Sequence, residues 1–398
     1  MKSLLSSTIL LGLMASAVAA DDRAGDVPLG ILFGFSGPIE SLSPDMAASA
    51  ELAIEEVNAS GLFLSGRTIV PVRADSTCTD SAAAKAAAER LVTSDGVVAI
   101  VGADCSGVTA AVVSGVAVPN GVVSLSPSAT SPGLSEIDDR GLFFRVAPSD
   151  ARQGEILADL TRARGIERVA VTYTNNDYGK GLADAFTGSF QELGGTVTTQ
   201  LSHEDGKADY SAEVATLAAS DAEALLIIGY IDQGGRQIVQ ASLDTGAFER
   251  FIFPDGMIGD VIIEAFGADL GGSFGTVPGG DAEVTASFDK MATAAGISGE
   301  GPYRGESYDA AALLILAMQA AGSDDRGAIA DNLAKIANAP GIPVRAGELA
   351  KGLEVLANGG EIDYVGVSNV EFDERGDASG TYREVEVEDS SFQTKGIW

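Results

Sequence analysis

The sequence predicts an α/β protein made of two doubly wound parallel-sheet lobes. Three observations carry that reading. Short apolar runs alternate with Ala/Leu-rich stretches of helical period, as strands alternate with helices in βαβ units. The alternation restarts after Ala147-Pro148-Ser149, which splits it into two blocks, 26–147 and 148–276. The chain has 398 residues, too many for one comfortable core and enough for two.

The elements follow in order. A strand is expected over 27–33 and a helix over 44–58, with Met46, Ala50, Ala53, Ile54 and Val57 on one face. A strand over 68–74 precedes a helix over 80–92, with Asp80 or Ser81 as its cap. Segments 97–101, 107–116, 122–125 and 143–146 complete the first block. The second block runs through 152–164, 168–173, 179–193, 196–201, 211–219, 224–228, 234–243 and 251–253. Beyond Gly271 the rhythm changes to three helices, 283–296, 306–321 and 325–337. The tail from Val365 reads as a hairpin-like strand pair that turns at 373–377 and continues over 381–387. The 49 glycines suit many tight strand-to-helix turns.

Apolar residues make up 45% of the chain and charged ones 21%, which rules out wholesale disorder. Lys plus Arg number 25 against 57 Asp plus Glu, so the net charge is −32, and a field of that sign argues against binding to nucleic acid or anionic lipid. One histidine and two cysteines are too few for a structural zinc site, and no metal or cofactor is expected. Residues 1–20 read as a secretory leader, with Lys2, an apolar run over 4–14, and small residues at Ala17-Val18-Ala19-Ala20. That run falls short of the ~20 residues a spanning helix needs. No cysteine stands near the cleavage point, which argues against a lipid anchor. Export favours a disulfide between Cys78 and Cys105, worth about 3 kcal/mol for a loop of this size. Each cysteine follows a strand, and in such a lobe those two strands can lie side by side.

In open α/β sheets, ligands bind beyond the carboxyl ends of the strands. After 97–101 comes Gly102-Ala103-Asp104-Cys105-Ser106-Gly107, which puts Ser106 at a helix N-terminus. After 122–125 comes a hydroxyl-rich loop, Ser126-Pro127-Ser128-Ala129-Thr130-Ser131-Pro132. In the second block the strand ends carry Asp177-Tyr178-Gly179, then Gly229-Tyr230, then Pro254-Asp255-Gly256. Hydroxyl and N–H donors in one block and two tyrosines with an acid in the other suit a zwitterion such as an α-amino acid.

With these stations in order, the chain resembles the substrate-binding protein of a branched-chain (Leu/Ile/Val-type) amino-acid ABC transporter. The resemblance runs from Phe35-Ser36-Gly37-Pro38 through the Cys78/Cys105 pair, Ser126–Thr130, Asp177–Gly181, Lys207–Ser211, Gly229-Tyr230 and Pro254-Asp255-Gly256 to 372–377. It implies a type I periplasmic-binding-protein clamshell whose two lobes are joined by three crossovers. The first lobe would hold 26–147 with 277–362, and the second 148–276 with 363–398. It also implies roles for particular residues. Ser106 and Thr130 would hold the ligand carboxylate by their hydroxyls, and Ser128 through its backbone. Tyr178 would close onto the ligand, and Tyr230 and Asp255 would face its ammonium. Leu42, Asp104 and Tyr303 fall at positions of the side-chain pocket.

Asp104 departs from the apolar residue that Leu/Ile/Val binders carry there. Facing an aliphatic ligand it would be an uncompensated buried charge. Either it turns away, or it pairs with Arg304, or the ligand has a polar or cationic group. The expected partners are thus a small zwitterion (a branched-chain or polar amino acid, or a related amide) and the membrane permease of an ABC transporter. The protein is expected to be a periplasmic monomer. Two other readings exist. A ligand sensor could use the same clamshell. A secreted hydrolase would have to use His203, which the sequence places in a solvated loop, Ser202-His203-Glu204-Asp205-Gly206. Neither a G-x-S-x-G elbow after a strand nor a Walker-type glycine loop is present, so no enzyme activity is expected.

Overall fold

The computed structural model describes residues 25–297, 299 and 301–398; the expected leader lies outside them. The first lobe opens with β1 (Val27–Phe33), α1 (Ser43–Ser60), β2 (Ile69–Asp75), α2 (Ser81–Thr93) and β3 (Ala99–Gly102). Next come α3 (Ser106–Val112), which passes through a wider turn into α4 (Val118–Asn120), then β4 (Val123–Ser126) and β5 (Phe143–Pro148). These strands lie parallel in the order β5-β4-β3-β1-β2.

The chain crosses over at 148–150. The second lobe then contains α5 (Asp150–Ala163), β6 (Arg168–Thr174), α6 (Asp177–Glu192), β7 (Thr196–His203), α7 (Ser211–Ala218) and β8 (Ala224–Ile228). It continues with α8 (Gly234–Thr245), β9 (Phe251–Phe253), α9 (Asp260–Phe266) and β10 (Phe274–Pro278), and its strands run parallel in the order β10-β9-β8-β6-β7. A second crossover near 279–281 leads to α10 (Ala282–Ala294), α11 (Arg304–Ala321) and α12 (Arg326–Ala337). Then come β11 (Ile342–Arg345), α13 (Leu349–Ala357) and β12 (Ile362–Gly366); β11 and β12 pair as a small separate sheet. β13 (Asp377–Ala378) joins the first sheet beside β5. A third crossover brings in β14 (Tyr382–Glu388) and β15 (Ser391–Ile397), which extend the second sheet antiparallel beyond β10.

Burial explains the pattern. β3, β4 and β8 are buried along their whole length, as strands covered by helices on both faces must be. The apolar face expected of α1 is the one it buries, against α11. Asp80 is the cap of α2: its Oδ1 accepts N–H bonds from Ala82 and Ala83 at 2.9 and 3.0 Å.

Four expectations need correction. The tail does not belong wholly to the second lobe. Arg145 on β5 is fully buried and requires a carboxylate, which Asp377 supplies at 2.7 Å, so β13 stays on the first sheet. The hairpin is β14–β15, and it turns at Asp389-Ser390 rather than at 373–377.

The cysteines form their disulfide, with Cα atoms 5.1 Å apart, but β2 and β3 are not neighbours. β1 lies between them, and the bridge passes over its end at Gly34. A Cβ there would stand 3.1 Å from Cys78 Cβ and 3.3 Å from Asp104 Oδ2, so the residue under the bridge must be small.

His203 is not in a solvated loop. β7 runs two residues beyond its last apolar residue and pairs with β6 as far as Thr174, which carries the ring inside. There Nδ1 sits 2.9 Å from Thr172 Oγ1, and burial pushes the imidazole pKa down to about 4.

Candidate functional site

All nine residues singled out for ligand binding line one cavity between the lobes: Leu42, Asp104, Ser106, Ser128, Thr130, Tyr178, Tyr230, Asp255 and Tyr303. About 40 Å³ of the cavity is open to a water-sized group, and Ile39, Met46, Cys105 and Gly256 complete its wall. Strand ends place most of these groups. Asp104 and Ser106 follow β3, Ser128 and Thr130 follow β4, and Tyr178 stands in the first turn of α6 after β6. Tyr230 and Asp255 follow β8 and β9, while Leu42 and Tyr303 precede α1 and α11.

Asp255 is the hub. Its Oδ1 accepts the Tyr178 hydroxyl at 2.9 Å and its own lobe's Gly256 N–H at 2.5 Å. Its Oδ2 accepts the Tyr303 hydroxyl, from the first lobe, at 2.5 Å. Burial still raises its pKa, and the two tyrosine donors offset only part of that. Tyr178 stacks on Tyr230 with ring centroids 5.5 Å apart, and Asn176 Nδ2 donates to the Tyr230 hydroxyl at 3.1 Å. Gly256 has to be glycine, because a Cβ would lie 2.6 Å from the Gly229 carbonyl oxygen.

Further bonds hold the lobes together around the cavity. Ser41 N donates to Asp232 Oδ2 at 2.8 Å, Asp232 N to Pro38 O at 3.2 Å, and Ser131 Oγ to Asp177 O at 3.1 Å. The structure is therefore a closed clamshell.

Three serines on alternate residues tie the strand-end loops together. Ser124, Ser126 and Ser128 donate their hydroxyls to the carbonyls of Gly102, Ala103 and Asp104 at 2.5, 2.5 and 3.0 Å. The Ser128 hydroxyl proton is thus committed, and its backbone N–H reaches Ser126 Oγ at 3.3 Å. Ser106 differs. Its Oγ accepts N–H bonds from Thr130 and Ser131 at 3.2 and 3.1 Å, which leaves its own proton free to donate.

Asp104 is 1% exposed, and its side chain is fixed by neutral donors only. Gly34 N reaches Oδ2 at 2.5 Å; Ser76 Oγ and Cys105 N reach Oδ1 at 2.7 and 3.0 Å. Burial raises its pKa against those bonds. Pairing with Arg304 does not occur, since that guanidinium binds Asp289 at 2.7 Å.

Asp150 is a residue of this region that no sequence motif marked. It opens α5 at the first crossover, is fully buried, and neither of its carboxylate oxygens has a hydrogen-bond partner among the described residues. Burial and the like charge of Asp255 push its pKa well up, with Thr130 and Arg145 nearby offsetting part. The only signal in the sequence was an acid directly after the junction Ala147-Pro148-Ser149. Among the described residues no group of three or more His, Cys, Asp or Glu could hold a metal ion, and no helix is long and apolar enough to cross a membrane.

Two α/β lobes closed over a shared cavity define a clamshell solute binder. The family model for periplasmic binding proteins matches residues 26–350, and the chain belongs to that family. It is 30% identical to an amino acid binding protein of Pseudomonas aeruginosa over 337 residues, 81% of this chain and 84% of that one. It is 33% identical to Leu/Ile/Val-binding protein homolog 3 of Brucella melitensis over 246 residues, 60% of this chain and 64% of that protein's length. The branched-chain amino acid transporter substrate binding protein of Streptococcus pneumoniae, solved with isoleucine, shares the fold. The TM-score is 0.76 at 24% identity, covering 94% of this chain and 98% of that one.

Proposed function

We propose that this protein is an exported binding protein that captures an amino acid in the interlobe cavity and delivers it to an ABC permease, with no catalytic step. One observation carries the reading: a cavity shared by both lobes brings together a buried acid, Asp255, and a hydroxyl with a free proton, Ser106. The ligand carboxylate would take hydrogen bonds from Ser106, Thr130 and the Ser128 backbone. Its ammonium would sit against Asp255 and Tyr230, with Asp150 behind. Bringing a cation to Asp255 and Asp150 relieves two carboxylates that burial and mutual repulsion disfavour. A ligand that touches both lobes favours the closed state by its differential affinity, which a permease can then read.

The periplasm is the compartment that fits a leader, a disulfide and this partner, and monomeric protein is the form expected to meet the permease. The hydrolase reading loses its base, because His203 is buried against Thr172 and does not line the cavity. The test is calorimetry of the purified protein with a panel of amino acids, beside mass spectrometry of any ligand that copurifies. Binding of an amino acid supports the reading. A panel without binding, or turnover of peptides or glycosides, would overturn it.

A further inference from the structure

The cavity carries more negative charge than a simple zwitterion can answer. Asp104 and Asp255 line it, each 1% exposed, and Asp150 lies behind with both oxygens unpartnered. No Lys, Arg or His lines it. The basic group next to the Asp150 side, Arg145, is fully committed. It binds Asp377 at 2.7 Å, the carbonyls of Ala129 and Ser131 at 3.3 and 2.9 Å, and Ser135 Oγ at 2.8 Å. Arg304 is held by Asp289. An amino acid with a neutral side chain brings one cation, so it leaves one of the two lining carboxylates, Asp104 or Asp255, without a counter-ion.

We infer that the ligand carries a second cationic nitrogen at the end of its side chain, and that Asp104 is the residue that selects it. This rests on the amino-acid reading given above and narrows it to the dibasic class. Two features of the wall support it. Three neutral donors hold the Asp104 carboxylate in one orientation, as a preorganised counter-ion needs, while leaving its charge uncancelled. Ile39, Leu42 and Met46 give the same cavity an apolar flank along which a methylene stem can lie.

The test begins with the unaltered protein. Calorimetric affinities are compared for L-lysine, L-ornithine, L-arginine, L-norleucine and L-leucine; norleucine keeps a lysine-like stem without the terminal nitrogen. At least one dibasic amino acid should bind 100-fold or more tighter than norleucine and leucine. Asp104→Asn should then cut that dibasic affinity at least 30-fold without lowering leucine affinity. Leucine or norleucine binding as tightly as every dibasic probe overturns the inference and leaves the amino-acid reading standing. No binding by any amino acid overturns both. A folded Asp104→Asn variant with unchanged dibasic affinity overturns the role of Asp104.

Discussion

Two buried groups should give the protein opposing pH dependences that nearly hide each other. His203 is 2% exposed, and its pKa drops from 6.5 to about 4 because burial disfavours the imidazolium. Glu306, in the first turn of α11, is 6% exposed; burial first and Asp309 next raise it from 4.5 to about 7, against Arg383 and Arg304. For His203 the unfolded chain binds more protons between pH 4 and 6.5, so its contribution is complete above 6.5 and is lost as the pH falls toward 4. For Glu306 the folded chain binds more protons between 4.5 and 7. Its contribution is complete below 4.5 and is lost as the pH rises through 7. At 1.36 kcal/mol per pH unit, each of these displacements corresponds to roughly 3 kcal/mol. Over pH 4.5–6.5 the two slopes cancel. Single substitutions expose them. In urea unfolding at half-unit pH steps, Glu306→Gln should gain stability relative to the parent as pH rises from 4.5 to 7, approaching 3 kcal/mol. His203→Gln should gain relative to the parent as pH falls from 6.5 to 4. Parallel curves for parent and variants across that range would show that neither group is held in its neutral form by the fold.

Two further predictions concern the site and its support. Asp255→Asn should raise the unfolding midpoint of ligand-free protein, since it removes one of two repelling buried carboxylates. The same change should cut amino-acid affinity by about 2 kcal/mol or more, since it leaves the ligand ammonium unpaired. Thermal shift and calorimetry read the two effects, and unchanged affinity would refute the pose. Replacing both Cys78 and Cys105 by Ser should cost about 3 kcal/mol by urea unfolding, given a closed loop spanning 27 positions. A loss below about 1 kcal/mol would mean that the bridge restrains little of the unfolded chain.

The βαβ rhythm and the strand-end stations were legible because parallel strands are apolar throughout and ligand loops sit at their ends. Elements of the late segment were not. β10, β11 and β12 are four or five residues each, and α13 spans nine, so their periodicity is too short to separate from loop. The tail misled for another reason. Its split follows from a long-range pair, Arg145 with Asp377, and no local pattern records which sheet a two-residue strand will join. At the site, residue types were legible and their commitments were not. The hydroxyl-rich loop read as a row of donors toward a ligand, yet Ser126 and Ser128 give their protons to the backbone after β3. His203 stands in a polar stretch after a strand and so read as solvated, whereas strand pairing set its burial.

The same commitments explain how Asp104 can stay charged and fixed beside an apolar wall. The loop that carries it is held from three sides. Ser124, Ser126 and Ser128 bind its carbonyls, the disulfide anchors Cys105, and Gly34 and Ser76 bind the carboxylate itself. At its start Gly102 has φ +126°, and a Cβ there would lie 2.4 Å from the Leu32 carbonyl oxygen, so glycine alone lets the loop press against β1. A mobile loop would let Asp104 swing toward water and shed its desolvation cost. A loop fixed this way cannot, so the cost stays until a cation enters the cavity. If Asp104 selects the ligand as inferred above, the disulfide acts on specificity as well as stability. Reducing it should weaken discrimination between charged and uncharged side chains before it unfolds the lobe, because Asp104 then gains room to turn away.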